Sequence, residues 1–190
     1  MKKKKTPSVK KTPNAKKTTK KKKSYSIDSL EFSSKAMCNF YKELKELKQQ
    51  KRITNFKLPT INQEIERKYK SKKCIIDDET FDSMKEAKVY LCIKDLKRQN
   101  IIKDYSLHPK FILQEKFKKN NKTIRAITYT ADFEIILNDN SIMIIDVKPS
   151  PAMVTEVFKI KKKIFEYKYR DKSIVIIYNK KDLFDLLEVQ

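Results

Sequence analysis

The sequence predicts an α/β (α+β) fold, a mixed sheet flanked by helices, with elements in the order α-β-β-β-α-β. Three observations lead there. "SIVIIY" at 173–178 is a continuous apolar run, suiting a strand covered on both faces. "AITYTADFEIIL" (126–137) and "SIMIIDV" (141–147) flank "NDN", a turn signal, and read as a hairpin. "FDSMKEAKVYLCIKDLKRQ" and "MVTEVFKIKKKIFEYKYR" place apolar residues at helical spacing on either side of that hairpin.

In chain order, residues 1–25 form a lysine-rich tail: twelve of the first 23 residues are Lys and the first acid is Asp28. Such a segment buries too little apolar surface to order itself. Residues 26–71 read as a helical N-terminal extension. Met37, Phe40, Tyr41, Leu44 and Leu47 share one helical face, with Ser33 or Ser34 as cap, and a short helix is expected at 61–70. The main domain spans 72–190. A short hairpin is expected around Cys74–Phe81, then a helix capped by Ser83 that runs to about Gln99, with Glu86 completing a capping box. "KDYSLHPKFILQEKF" reads as one strand, and the hairpin follows. Ser150 and Pro151 start a helix running to about residue 170, and a short helix closes the chain at 181–188. No internal repeat is apparent.

Composition narrows the function. The 190 residues carry 46 Lys and Arg against 24 Asp and Glu, a formal net charge of +22. A chain this basic meets nucleic acid or another anionic surface. No apolar run approaches the roughly 20 residues of a membrane span, and no apolar segment follows the basic start, which excludes a secretory signal. Cys38, Cys74 and Cys92 lack metal-ligand spacing, and with His108 as the one histidine a zinc site is not expected. Reduced thiols point to the cytoplasm. The chain has no glycine, so its turns must use Asn and Asp, which tolerate left-handed backbone.

The chemistry concentrates at the hairpin. If its turn centres on Asp139 with symmetric register, Asp132 lies opposite Asp146 with Cβ atoms about 5 Å apart. Lys148 follows on the same face as Asp146, since alternate strand residues share a face. Facing carboxylates repel unless a cation lies between them. Oxygen ligands favour Mg²⁺, with Mn²⁺ as substitute. Glu86 shares a stripe with Val89, Tyr90, Ile93 and Leu96, so it points to the packed side, either as capping partner or as a further acid of the site. On the helix at 151–170, an apolar stripe of Val154, Val157, Phe158, Ile164 and Phe165 includes Lys161, which is expected to reach toward the site. Lys159, Lys162 and Lys163 flank the stripe and suit phosphate contacts.

"TAD" at 130–132 and "DVK" at 146–148, in this order of elements, resemble the PD-(D/E)xK nuclease superfamily. Residues from about Lys72 to Tyr178 resemble, more closely, a small family of tailed-phage proteins of unknown function assigned to it. The matching pieces are "FDSMKEAKVY", "LHPKFIL", "YTADFEII", "DVKPSPAMVTEVFKIKKKIFEYKY" and "SIVIIY". Two departures stand out: His108 where that family tends to have glutamine, and "KPSPAMV" in place of a "KG" turn. The resemblance implies a restriction-endonuclease-like core and a Mg²⁺-dependent endodeoxyribonuclease. It implies Glu86, Asp132, Asp146 and Lys148 as catalytic residues, with the three acids as metal ligands, and products with a 5′-phosphate and a 3′-hydroxyl. Lys148, beside carboxylates, suits charge stabilisation and water positioning better than proton abstraction. Branched DNA or junctions as substrate, a homodimer, and the cytoplasm of a phage-infected host are further expectations by analogy. The competing reading is a non-catalytic basic DNA- or RNA-binding protein. It gives no reason for three acids to converge in a cationic chain.

Overall fold

The computed structural model describes residues 24–61 and 73–188. The lysine-rich tail and the helix expected at 61–70 lie, but for their last and first residues, outside the described residues.

The chain contains the same unit twice, contrary to expectation. A hairpin of β1 (Tyr25–Ile27) and β2 (Leu30–Phe32) leads into α1 (Lys35–Gln49). After β3 (Phe56–Lys57), a hairpin of β4 (Cys74–Ile76) and β5 (Glu79–Phe81) leads into α2 (Met84–Arg98), and β3 pairs with β4. Both hairpins close with two-residue turns whose central residues all have positive φ: Asp28 (49°) and Ser29 (62°), Asp77 (54°) and Asp78 (66°). Primed turns demand this conformation, normally supplied by glycine or asparagine; here short polar side chains carry it. Ile27, Asp28, Phe32, Ser34, Tyr41, Lys45 and Leu47 recur 49 residues later as Ile76, Asp77, Phe81, Ser83, Tyr90, Lys94 and Leu96. Their contacts recur too. Ser34 Oγ accepts from the Met37 N–H (3.2 Å) and Ser83 Oγ from the Glu86 N–H (3.1 Å). Asp28 accepts from Lys45 Nζ (2.6 Å) and the Tyr41 hydroxyl (3.2 Å). Asp77 accepts from Lys94 Nζ (2.5 Å) and the Tyr90 hydroxyl (3.2 Å). Identity survives mostly at positions that set the turn, the cap or the core, too few and scattered to show as a repeat in the sequence.

The remaining strands are β6 (Ile102–Leu107), β7 (Lys110–Gln114), β8 (Phe117–Lys119), β9 (Lys122–Ile124), β10 (Ile127–Thr130), β11 (Phe133–Leu137), β12 (Ile142–Val147) and β13 (Ile174–Ile177). α3 (Glu156–Lys168) precedes β13, and α4 (Lys180–Leu186) follows it. The main sheet is mixed, in the order β13-β12-β11-β6, with only β13 parallel to its neighbour. The strands expected at 103–117 and 126–137 are each broken. β6 pairs with β11 in the main sheet, whereas β7 pairs with β10 outside it. The break falls where Pro109 has no N–H to give and His108 adopts φ 50°. Across it, the His108 N–H donates to Asp132 O (3.0 Å) and the Ala131 N–H to Pro109 O (3.1 Å), so the two strands bend together.

Alternate residues of β12 face opposite cores. Ile145 joins one large cluster with Phe32, Phe40, Phe81, Ile93 and Leu183; residues before β3 therefore share the core of the main domain. Ile144 joins a second cluster with Tyr129, Phe158, Phe165 and Ile174 under α3. Helices thus cover both faces of the sheet. α3 begins later than expected, because Pro151–Met153 form a short 3₁₀ turn and Thr155 is the cap, its hydroxyl accepting the Phe158 N–H (3.2 Å). The buried face of α3 rests on Phe158 and Phe165; Val157, expected in its stripe, is 64% exposed.

Candidate metal centre

The shared bend of the two broken strands opens beside the first turn of α2. There, one ligand atom each from Glu86, His108 and Asp132 lie within 4.8 Å of one another. Each side chain is held in place. Glu86 Oε2 accepts the Asp82 N–H (3.0 Å), one residue before the Ser83 cap, so the capping role expected of Glu86 is met in shifted form. Its Oε1 lies 3.9 Å from His108 Nδ1. Asp132 Oδ2 accepts the Val147 N–H (2.6 Å) from β12. The hairpin pairs Phe133 with Ile145, which is the predicted register, but the ladder stops there: Asp132 precedes β11 and its N–H donates to Ile145 O (3.1 Å), so Asp132 and Asp146 lie near each other without being paired.

Asp146 is buried at the end of β12. Its Oδ1 accepts the Tyr129 hydroxyl (3.1 Å). Its Oδ2 accepts no well-formed hydrogen bond, but the Lys148 ammonium lies against it as an ion pair. That ammonium also sits 4.7 Å from the centre of the Phe158 ring, a cation–π contact that fixes its position. Lys85, next to Glu86, donates to Pro149 O (2.7 Å) and Tyr178 O (2.9 Å) and pins the chain just beyond Lys148.

The electrostatics suit a cation. Burial, reinforced by the Asp132 charge, pushes the Glu86 carboxyl up to about 8. Burial also raises Asp132 to about 6; the Val147 N–H opposes this and the Asp146 charge adds to it. Acids that repel one another in a poorly solvated place gain most from a bound cation.

The repeated unit isolates the role of Glu86. The equivalent position in α1 is Met37, buried and apolar. The same hairpin, cap and helix form there without an acid. Glu86 is therefore not required by the fold of the unit, and its burial is a cost the second unit alone carries.

The four lysines expected to bind nucleic acid are mostly committed elsewhere. Lys161 does not reach the carboxylates; its Nζ donates to Thr128 O (2.9 Å) and ties α3 to β10. Lys162 pairs with Glu166 and donates to Ile174 O (2.7 Å). Lys159 pairs with Glu156 (2.7 Å). Lys163 is exposed. Sequence reasoning set His108 aside because one histidine cannot make a zinc site. The usable signal was the His-Pro step inside an apparent strand, which marks a bend and turns the imidazole toward Glu86.

A family model described as "Protein of unknown function (DUF1064)" matches residues 66–182. That span takes in α2, the bent strands, β12 and every residue of the candidate centre. No curated protein and no solved structure matches the chain.

Proposed function

The chain belongs to the DUF1064 family, and we propose that it is a metal-dependent endonuclease of the PD-(D/E)xK type that hydrolyses phosphodiester bonds in DNA. The observation that supports this reading is the cluster of Glu86, His108 and Asp132, with the Asp146–Lys148 ion pair close enough for the Asp146 charge to act on both acids, in a chain with net charge +22. Glu86, Asp132 and His108 would hold the cation, with Asp146 beside them. Their mostly oxygen donor set fits Mg²⁺, and the imidazole makes Mn²⁺ a good substitute. A bound divalent cation supplies polarisation of the phosphate and activation of water.

The protein's own groups do the rest. The Asp82 and Val147 N–H groups and the Tyr129 hydroxyl orient the three carboxylates. Lys148, held between Asp146 and Phe158, presents a fixed positive charge to the phosphate and positions the attacking water. Phosphoryl chemistry depends mainly on such positioning and charge stabilisation.

The test is cleavage of linear, flapped and four-way DNA with Mg²⁺ or Mn²⁺ by the full chain and by Asp132→Asn. Metal-dependent cleavage that Asp132→Asn abolishes supports the reading. No cleavage of any substrate, or equal cleavage by both proteins, overturns it.

A further inference from the structure

Beyond the bend, the ribbon continues as β7 with β10 and ends in β8 with β9. Every residue of β8 and β9 is exposed. The two strands pair Phe117 with Ile124, Lys118 with Thr123 and Lys119 with Lys122. They close on Asn120 (φ 50°) and Asn121 (φ 59°), a turn of the primed kind. A two-stranded ribbon alone is marginal in water, and here the apolar pair Phe117–Ile124 supports it.

The charge on this ribbon is one-sided. Residues 116–125 contain Lys116, Lys118, Lys119, Lys122 and Arg125 and no acid. Among the described residues none of the five forms an ion pair. Elsewhere Lys45, Lys73, Lys94, Lys97, Lys148, Lys159, Lys162 and Lys172 are paired, whereas others such as Lys35, Lys42, Lys48, Lys51 and Lys181 are not, so what marks the ribbon is the density of its cations and the lack of any acid among them. Alternation places Lys119 and Lys122 on one face and Lys116, Lys118 and Arg125 on the other. A ribbon exposed at every residue, yet concentrating cations on both faces, suits a polyanion that surrounds it.

We infer that the β8–β9 ribbon is a DNA-binding arm that enters the major groove of duplex DNA and contacts phosphates on both sides. The B-DNA major groove admits a two-stranded ribbon, and cations on both ribbon faces match its two phosphate walls. From Pro109 at the bend to Asn120 at the tip is eleven residues, at most about 36 Å at roughly 3.3 Å per residue. The arm therefore reaches at most about one helical turn from the acid cluster. This deepens the nuclease reading by giving its substrate a duplex flank. The binding itself does not depend on cleavage.

The experiment measures binding to a 30-base-pair DNA duplex in EDTA, as a function of salt. It compares the full chain with a variant carrying Gln at 116, 118, 119, 122 and 125. A second variant of equal charge loses Lys35, Lys42, Lys48, Lys51 and Lys181 instead. Each phosphate contact adds about 0.9 to the log–log salt slope. The arm variant is expected to lower the slope by about 3 or more, the control by less than about 1, and arginine at the four lysine positions to restore the wild-type slope. Double-stranded RNA, whose deep narrow major groove excludes a ribbon, should show no arm-specific loss. Equal losses in the arm and control variants overturn the arm, since only total charge would then matter. Equal losses on RNA and DNA overturn its groove assignment. Cleavage is measured separately, so inactive wild-type protein would refute the nuclease reading and leave the arm's result standing.

Discussion

Replacing Glu86 by Gln removes one charge but keeps an oxygen to accept the Asp82 N–H. In the metal-free protein the folded state holds the Glu86 proton up to about pH 8, whereas the unfolded chain releases it near 4.5. The stability this provides is complete below pH 4.5 and is lost as pH rises through about 8. At about 1.4 kcal/mol per pH unit, the loss is at most roughly 5 kcal/mol, and sharing of protons with Asp132 and Asp146 reduces it. Urea unfolding in EDTA at pH 5 and pH 8.5 reads it directly. Wild type should lose about 2–4 kcal/mol relative to Glu86→Gln between these values. Adding Mn²⁺ at pH 8 should then stabilise wild type, by about 2.7 kcal/mol at a hundred times its dissociation constant, and the variant much less. Parallel pH curves with equal Mn²⁺ stabilisation would refute the reasoning and leave Glu86 as a helix cap alone.

Asp132→Asn should bind duplex DNA as tightly as wild type or more tightly, since a negative charge near the phosphate is gone; weaker binding in EDTA would contradict the site as drawn. His108→Gln should retain cleavage in Mg²⁺ but lower the Mn²⁺/Mg²⁺ activity ratio by about tenfold, on the scale of changes around a metal ligand; an unchanged ratio would remove His108 from the centre. Deleting residues 1–25 should flatten the salt dependence of DNA binding while cleavage of a short duplex at low salt survives; an identical slope would show that the tail does not touch DNA. Asp77→Asn, which keeps a side chain suited to positive φ, should cost about 1.5–3 kcal/mol by calorimetry through loss of the charged bonds to Lys94 and Tyr90. A melt within experimental error of wild type would show those bonds to be idle.

The parts legible in the sequence were those governed by short periods. The alternation of β11 and β12 about Asp139 set the Phe133–Ile145 register that leaves Asp132 near Asp146, and the 3.6-residue period of α2 carried Glu86 inward. What escaped depends on partners far along the chain. The reach of Lys161 to Thr128 rather than to the acids is set by how α3 lies on β10, which no local pattern encodes. His108 was hidden because a bend replaces what reads as one strand. The arm was hidden because its alternation is basic on both faces, so no apolar face announces a strand.

The repeated unit bears on the order in which the molecule folds. Each hairpin and its helix close their contacts within about thirty residues, and the Asp-Tyr-Lys bonds lie within one unit. Such local structure forms early, since little loop entropy is spent before contacts are gained. The main sheet closes longer loops, as where Leu137 meets Ile102, and β13 must wait for the α3 crossover. Glu86 thus rides on an early nucleus, and Asp132 and Asp146 on late-pairing strands. The acids meet only when the slowest part of the chain docks, so a partly folded molecule has no assembled acid cluster.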